Sequence, residues 1–278
     1  MTLAPASTTS AHTDAQLVAM WLSGKAPTSQ ALYRGIVQAF ANWSGKSLRE
    51  VTLADLQAWR AELERHYRPA TVKTKLNAIK SLLSFAQRVG YVPFNAGSAI
   101  SPPAAKDTLV ERVLSPDDAE RLIAAPTAER DRVLLALLYR CGLRVSEACN
   151  LRWRDLVPRD PGGQATVHSK NKTRTVLVPE GLWQQLHQLP QVGEHVFTSC
   201  NGRRLTQTAV HYRIKDAARR AGITERVSPH WLRHSHATTA LENGCSLHLL
   251  QQSLGHSSLA ITGKYLHARP ESSSSEFV

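Results

Sequence analysis

One irregular segment divides the chain into two parts. The stretch from Ala96 to Asp107 contains Gly97, Pro102 and Pro103. Its apolar residues are too few for a helix or strand and show no regular spacing, which is typical of a linker. A length of 278 residues fits two domains of ordinary size better than one. We therefore predict a flexible N-terminus at 1–13, a helical domain at 14–95, a linker at 96–112, a second domain at 113–267 and a C-terminal tail at 268–278.

The chain is strongly basic, with 34 Lys and Arg against 22 Asp and Glu and a net charge of +12. Up to residue 106 there are 12 basic and 5 acidic residues, so the first part carries +7 and the rest +5. Such a surface potential attracts polyanions, and nucleic acid is the common polyanionic partner of a globular protein. Charge that serves only solubility is the alternative.

Cysteine usage and hydropathy indicate a reducing compartment and no membrane partner. The four cysteines form no CxxC pair and are too few to staple a chain of this length. No apolar run approaches the roughly 20 residues that span a bilayer, and the first ten residues lack the pattern of a signal peptide. We predict a cytoplasmic protein.

Capping signals predict that the N-terminal part is a helical bundle. Thr28 or Ser29 can cap one helix, and Thr52 with Asp55 three residues later caps the next. Pro69 suits the first turn of a third helix, whose apolar residues recur at spacings of three and four. Basic residues on that helix lie mostly off the apolar stripe and are candidate DNA contacts, with a merely solvated face as the alternative. They are Lys73, Lys75, Lys80 and Arg88.

The second part predicts a mainly helical domain with a small antiparallel sheet. Ser115, followed by Pro116 and three acids, marks a helix start. A strongly apolar helix over 132–143 ends near Gly142, and a short helix begins near Ser146. Alternating or β-branched residues predict strands at 153–157, 164–168 and 173–178. Further helices are predicted at 180–189, 206–221, 229–243, 246–254 and 258–267.

Three segments group unusual polar residues beside apolar helices. Arg144 falls just past a helix stop. His230 and Arg233 are three residues apart, which puts both on one helix face in a first turn whose free N–H groups favour an anion. His256 follows Gly255 in the third segment, and Tyr265 comes nine residues later.

These stretches, in this order, resemble the tyrosine recombinases of the phage integrase family. The matching sequences are Gly142 to Glu147, His230 to His234, and Leu254 to Ser258 continuing through Thr262 to Tyr265; the family layout extends from Thr28 to His267. The resemblance implies that the scissile phosphate lies among Arg144, His230, Arg233 and His256. It also implies that Tyr265 is the nucleophile, that Glu147 supports the site and that a hairpin lysine is the general acid.

The hairpin departs from the family pattern. Members usually carry two lysines three residues apart, whereas Lys170 and Lys172 are two apart here, followed by Arg174. We assign the acid to Lys170, because it lies nearer the tip after the strand that ends at His168, and keep Lys172 as a supporting residue.

The chemistry of a phosphodiester agrees with this assignment. Two guanidinium groups can neutralise the developing charge, so no metal or other cofactor is expected. Tyrosine has an ordinary pKa near 10 and must lose its proton to a neighbour or in a cationic field; His230 is the candidate base or relay. The phosphate ends as a 3′-phosphotyrosyl ester, so rejoining needs no ATP.

The resemblance also implies partners and shape. The two domains together would clamp double-stranded DNA as a C shape. Four protomers, of this chain alone or with a related recombinase, would assemble on two DNA sites with paired half-sites at the bacterial nucleoid. The tail at 268–278 is the candidate for docking on a neighbour. The alternatives are a non-catalytic architectural DNA-binding protein and a metal-dependent nuclease built on His230 and His234; no HExxH pattern supports the latter, and we interpret His234 and His236 as packing or supporting groups.

Overall fold

The computed structural model describes residues 9–104, 112–169, 172–256, 258–263 and 265. The chain separates into two compact units, residues 1–106 and 107–278. The division falls inside the segment 96–112 that the sequence marks as irregular. Each unit has its own apolar core.

The first unit is helical, as predicted. Thr52 accepts a hydrogen bond from the Asp55 backbone and Asp55 caps Thr52 in return, which confirms that helix start. Pro69 occupies the first turn of its helix. The described helices are α1 (Asp14–Ser23), α2 (Pro27–Ser44), α3 (Leu53–His66) and α4 (Pro69–Arg88).

Two starts in this unit differ from the sequence prediction. The helix expected to be capped by Thr28 or Ser29 begins at Pro27 instead, without a side-chain cap, because a proline with fixed φ is already suited to a first turn. Helix α1 was not predicted individually; Thr13 caps it in a reciprocal pair with Gln16. Ala11 is buried, so the predicted flexible N-terminus ends before residue 11, and residues 1–8 lie outside the described part.

The core of the first unit contains aromatic and aliphatic side chains from all four helices. The rings of Phe40 and Trp59 meet edge to face with centroids 4.9 Å apart. Ala96 and Ile100 are buried in the same core. The first residues of the predicted linker therefore pack on the first unit through these two apolar side chains.

The second unit is mainly helical with a three-stranded antiparallel sheet in the order β1-β2-β3, which confirms the predicted fold class. Ser115 caps the first helix as predicted. Residues Trp153–Asp155 form a turn of 3-10 helix instead of the start of a strand. The elements are α5 (Pro116–Ala124), α6 (Glu129–Arg140), α7 (Val145–Asn150), β1 (Leu156–Pro158), β2 (Gly163–Ser169), β3 (Lys172–Val178), α8 (Glu180–Gln188), α9 (Gln207–Arg220), α10 (Pro229–Glu242), α11 (Leu247–Leu254) and α12 (Leu259–Gly263).

Helix α6 lies at the centre of this unit. Its residues from Val133 to Tyr139 are all buried, which is the pattern of a helix surrounded by other elements. One face of the hairpin β2–β3 covers the core through alternate residues such as Val167 and Val176. The C-terminal end of α6, the hairpin, α10 and α11 thus come together around the residues described next.

In the described ranges, no helix is long and apolar enough to cross a membrane.

Candidate active site

Arg144 and Glu147 open the site at the start of α7. The backbone N–H of Arg144 donates to Glu147 Oε2 at 2.8 Å, and the Arg144 guanidinium donates to Oε1 at 2.9 Å. The Glu147 side chain is fully buried, whereas that of Arg144 is 33% exposed. The carboxylate therefore orients a guanidinium that still faces solvent.

Arg174 on β3 shares the same carboxylate. Its guanidinium makes a two-pronged contact with Glu147, with Nη2 at 2.9 Å from Oε2, and its Nε donates to the Ser253 carbonyl at 2.7 Å. Burial favours the neutral acid, but the hydrogen bonds from Arg174 and Arg144 outweigh it and hold the pKa of Glu147 below its ordinary value. In the sequence, Arg174 stands out only as part of the hairpin pattern. Its place among strand residues gave no signal that it ties the hairpin to α11.

Arg233 joins all three motif segments. Its guanidinium is buried and donates to the carbonyls of Gly142 and of Leu254, the latter at 2.6 Å. Burial, reinforced by the charge of Arg144, lowers the pKa of Arg233 to about 9, so the group stays charged at neutral pH. A residue of α10 is thus fixed to the end of the turn after α6 and to the end of α11.

His256 follows the left-handed Gly255 that ends α11. Its Nδ1 is 2.9 Å from Thr262 Oγ1 on α12, which fixes the ring. Burial and the neighbouring charges of Arg233 and Arg144 lower the pKa of His256 to about 4. The imidazole is neutral at pH 7 and can donate a hydrogen bond from Nε2 while Nδ1 accepts from Thr262.

Tyr265 is 5% exposed and stacks on His256, with ring centroids 6.2 Å apart and planes 11° apart. Its hydroxyl lies 2.8 Å from His234 Nδ1. Burial raises the pKa of Tyr265, and Arg233 and Arg144 act in the opposite direction. The phenol is therefore protonated at neutral pH but lies in a cationic field.

His230 lies at the exposed rim of the group, in the first turn of α10. Desolvation, followed by the charge of Arg233, lowers the pKa of His230. Its ring neighbours that of His234, with centroids 6.4 Å apart. The geometry therefore places His234, and not His230, against the Tyr265 hydroxyl.

A cleft of about 330 Å³ opens beside these residues, lined by Arg144, Arg174 and His256 together with hairpin and α11 residues. The two lining arginines share the single carboxylate of Glu147, which leaves one positive charge at the cleft. The buried Arg233 interacts electrostatically with both arginines and adds a second positive charge. A cleft of this charge suits an anion of phosphate type.

The two hairpin lysines are not distinguished by the structure. Lys170 lies outside the described residues. Lys172 opens β3, where its backbone pairs with Ser169. The assignment of the general acid stays a prediction.

The four basic residues of α4 do not form one face. Lys73 and Arg88 are exposed. The ammonium of Lys75 lies 4.1 Å from the centre of the Tyr67 ring, and that of Lys80 donates to the Ile100 carbonyl. Residues two apart differ by about 200° around a helix, so Lys73 and Lys75 point to different sides. The Lys80 ammonium is therefore engaged with a carbonyl of its own unit, and the DNA contacts of all four residues stay a prediction.

Among the described residues, no three His, Cys, Asp or Glu side chains are grouped so that they could hold a metal ion.

The comparisons identify the class of protein. Residues 112–272 match the model of the phage integrase family, and the chain belongs to that family. It is similar to tyrosine recombinase XerC of Xanthomonas campestris pv. campestris strain B100, with 36% identity over 252 residues that cover 84% of this chain and 77% of XerC. Tyrosine recombinase XerD of Pseudomonas aeruginosa strain PAO1 is 32% identical over 278 residues, which cover 91% of each chain.

Solved structures share the fold. The XerH site-specific recombinase in a post-cleavage complex with its palindromic difH substrate gives a TM-score of 0.74 at 22% identity, covering 86% of this chain and 76% of XerH. A lambda integrase tetramer bound to a Holliday junction gives a TM-score of 0.70 at 18% identity, covering 89% and 78%.

Proposed function

We propose that this protein is a site-specific recombinase that cleaves and rejoins DNA strands through a covalent 3′-phosphotyrosyl bond to Tyr265. The observation that carries the proposal is the pair of hydrogen bonds from Arg233 to the Gly142 and Leu254 carbonyls. They bring three segments that are far apart in sequence to one centre, and that centre contains Arg144, His256 and Tyr265.

The charge of the site suits a phosphodiester. Arg144 and Arg233 offer planar donors to the two nonbridging oxygens, and His256 and His230 offer further N–H donors. The transition state of the displacement carries more negative charge than the ground state, so fixed cations lower the barrier. Glu147 neutralises one guanidinium charge and holds Arg144 in place before substrate arrives.

The leaving 5′ oxygen needs a proton. A lysine that neighbouring cations bring toward neutrality can supply it, and we propose Lys170 for this role with Lys172 in support. Since the phosphate is kept as a tyrosyl ester, a 5′ hydroxyl from another strand can reverse the step without ATP or a cofactor.

We further propose that both units contact duplex DNA carrying paired half-sites, with Lys73 and Arg88 tracking phosphates. Lys75 and Lys80, whose ammonium groups contact the Tyr67 ring and the Ile100 carbonyl, contribute less. The lambda integrase tetramer on a Holliday junction supports four protomers on two DNA sites, either of this chain or with a related recombinase. XerC and XerD come from bacteria, which supports action on bacterial DNA in the cytoplasm, at the nucleoid.

The test is covalent capture. Protein is incubated in EDTA with a random-sequence library of duplexes nicked on one strand, and DNA that remains attached after denaturation is sequenced. We expect enrichment of a defined site, an adduct at the 3′ phosphate, and no adduct with Tyr265→Phe. An adduct that persists in Tyr265→Phe contradicts the proposal.

The same assay separates the alternatives. A metal-dependent nuclease loses its activity in EDTA and leaves no covalent protein on the DNA. An architectural protein binds the duplex and leaves it intact.

A further inference from the structure

The hydroxyl of Tyr265 is held by a residue outside the set that the family resemblance selected. His234 Nδ1 lies 2.8 Å from the Tyr265 oxygen, and the two rings are 5.6 Å apart and tilted by 44°. His234 is half-buried on α10 directly after Arg233. The contact therefore joins two partly or fully buried groups that are 31 residues apart in sequence.

The other imidazoles of the site are placed less well for this hydroxyl. The His256 ring is nearly parallel to that of Tyr265, with centroids 6.2 Å apart, and its Nδ1 is already bonded to Thr262. His230 neighbours the His234 ring. His234 is thus the imidazole whose nitrogen meets the tyrosine oxygen.

A buried phenol needs a proton acceptor in contact with it. Burial raises the pKa of Tyr265, so the hydroxyl is a weak nucleophile at neutral pH. Arg233 and Arg144 favour the phenolate, but a guanidinium accepts no proton. A neutral imidazole at hydrogen-bond distance can accept it, and Nδ1 of His234 is at that distance.

We propose that His234 takes the proton of Tyr265 during strand cleavage, in the place that sequence analysis gave to His230; this rests on the proposed function, in which Tyr265 is the nucleophile. As the bond from the tyrosine oxygen to phosphorus forms and the bond from phosphorus to the 5′ oxygen breaks, the phenolic proton moves to Nδ1. The hairpin lysine gives a proton to the 5′ oxygen. In rejoining, the imidazolium returns its proton to the departing tyrosine, and the incoming 5′ hydroxyl gives its proton to the lysine.

Two substitutions separate proton transfer from positioning. His234→Ala removes the contact, whereas His234→Asn places an amide oxygen near the position of Nδ1, where it accepts a hydrogen bond but no proton. With the duplex enriched in the capture assay, both variants form adduct about 100-fold more slowly or worse, while DNA binding and the melting temperature stay at wild-type values. The matched control is His248→Asn, an exposed histidine of α11 bonded to Gln252, which keeps the wild-type rate. A wild-type rate in His234→Ala, or recovery in His234→Asn, overturns the inference.

A modified substrate tests the same step from the leaving-group side. Sulfur in place of the bridging 5′ oxygen leaves as a thiolate and needs no proton, so a variant of the lysine acid regains its rate, whereas His234→Ala stays slow. Recovery of His234→Ala on this substrate overturns the inference. An adduct in Tyr265→Phe rejects the proposed function itself; loss of adduct in Tyr265→Phe together with normal rates in both His234 variants rejects only the role of His234.

Discussion

Glu147 shows how a single buried residue organises the site. Its carboxylate is fully buried and shared by Arg144 and Arg174. A buried ion pair adds little when intact, but removal of one partner leaves the other charges uncompensated. Glu147 therefore fixes the geometry of two guanidiniums, both of which line the cleft.

We predict that Glu147→Gln destabilises the second unit by about 3 kcal/mol, since the largely buried Arg174 and the partly exposed Arg144 lose their counter-charge. Urea unfolding followed by tryptophan fluorescence measures the change. Asp216→Asn is the control: Asp216 also pairs with two arginines, Arg219 and Arg220, but on the exposed end of α9, and its loss changes stability little. Equal effects of the two substitutions would contradict the role given to Glu147.

Thr262 gives a second prediction at this scale. Its buried hydroxyl fixes the His256 ring, and Thr262→Val removes the bond while keeping the shape. A hydrogen bond of this kind contributes about 1 kcal/mol, so we expect adduct formation to slow by roughly 5- to 10-fold. Single-turnover kinetics measure it, and Thr262→Ser should restore the rate. A valine variant as fast as wild type would show that the ring is held by packing alone.

The turn between α6 and α7 requires a glycine at position 142. Gly142 has a φ of +60°, and a Cβ there would lie 2.5 Å from His236 Cδ2 and 2.9 Å from Leu254 Cδ2. The same residue offers its carbonyl to Arg233. The left-handed conformation thus lets α10 and α11 approach closely and places an acceptor for the central arginine.

We predict that Gly142→Ala lowers the free energy of unfolding by at least about 2 kcal/mol, because left-handed strain alone costs about 1–2 kcal/mol and the contact with His236 adds to it. Gly181→Ala is the matched control. Gly181 lies in α8 with open space around its Cα, so alanine there should stabilise by about 0.5–1 kcal/mol. Denaturant midpoints decide; two substitutions with the same sign would contradict the packing argument.

Local signals predicted the elements well and their contacts poorly. The caps at Thr52 and Ser115 and the first-turn proline at Pro69 were confirmed, because each acts within a few residues of itself. The partners of Arg233 are 91 and 21 residues away in sequence, so these hydrogen bonds depend on how α6, α10 and α11 pack together. His234 was interpreted as a packing or supporting group for the same reason: nothing near it in sequence indicates that it meets Tyr265.

At the scale of the molecule, buried histidines link stability to pH. Burial lowers the pKa of His236 to about 4, and the same holds for His256. Between the ordinary value near 6.5 and about 4, the unfolded chain binds protons that the folded chain does not. Stability is therefore complete above pH 6.5 and falls as the pH drops through this window.

Each such histidine contributes a slope of up to about 1.4 kcal/mol per pH unit. We predict that the free energy of unfolding falls less steeply between pH 6.5 and 4 in His236→Asn than in the wild type, whatever the effect of the substitution at pH 7. Urea titrations of both proteins across this range measure the two slopes. Parallel curves would show that His236 titrates normally in the folded protein.

The net charge of +12, divided as +7 and +5 between the two units, predicts DNA binding that weakens steeply with salt, because each phosphate contact releases counterions. Helix α4 offers a matched pair to test which charges take part. Lys73 is exposed, so Lys73→Ala should make the slope of log affinity against log salt shallower by about 1. Lys80 is bonded to the Ile100 carbonyl, so Lys80→Ala should leave the slope unchanged. Affinities measured by fluorescence anisotropy from low to high salt give both slopes. Residues seven apart lie within about 20° of each other around a helix, so a shallower slope for Lys80→Ala, with none for Lys73→Ala, would mean that the phosphates meet this face nearer Lys80 than Lys73.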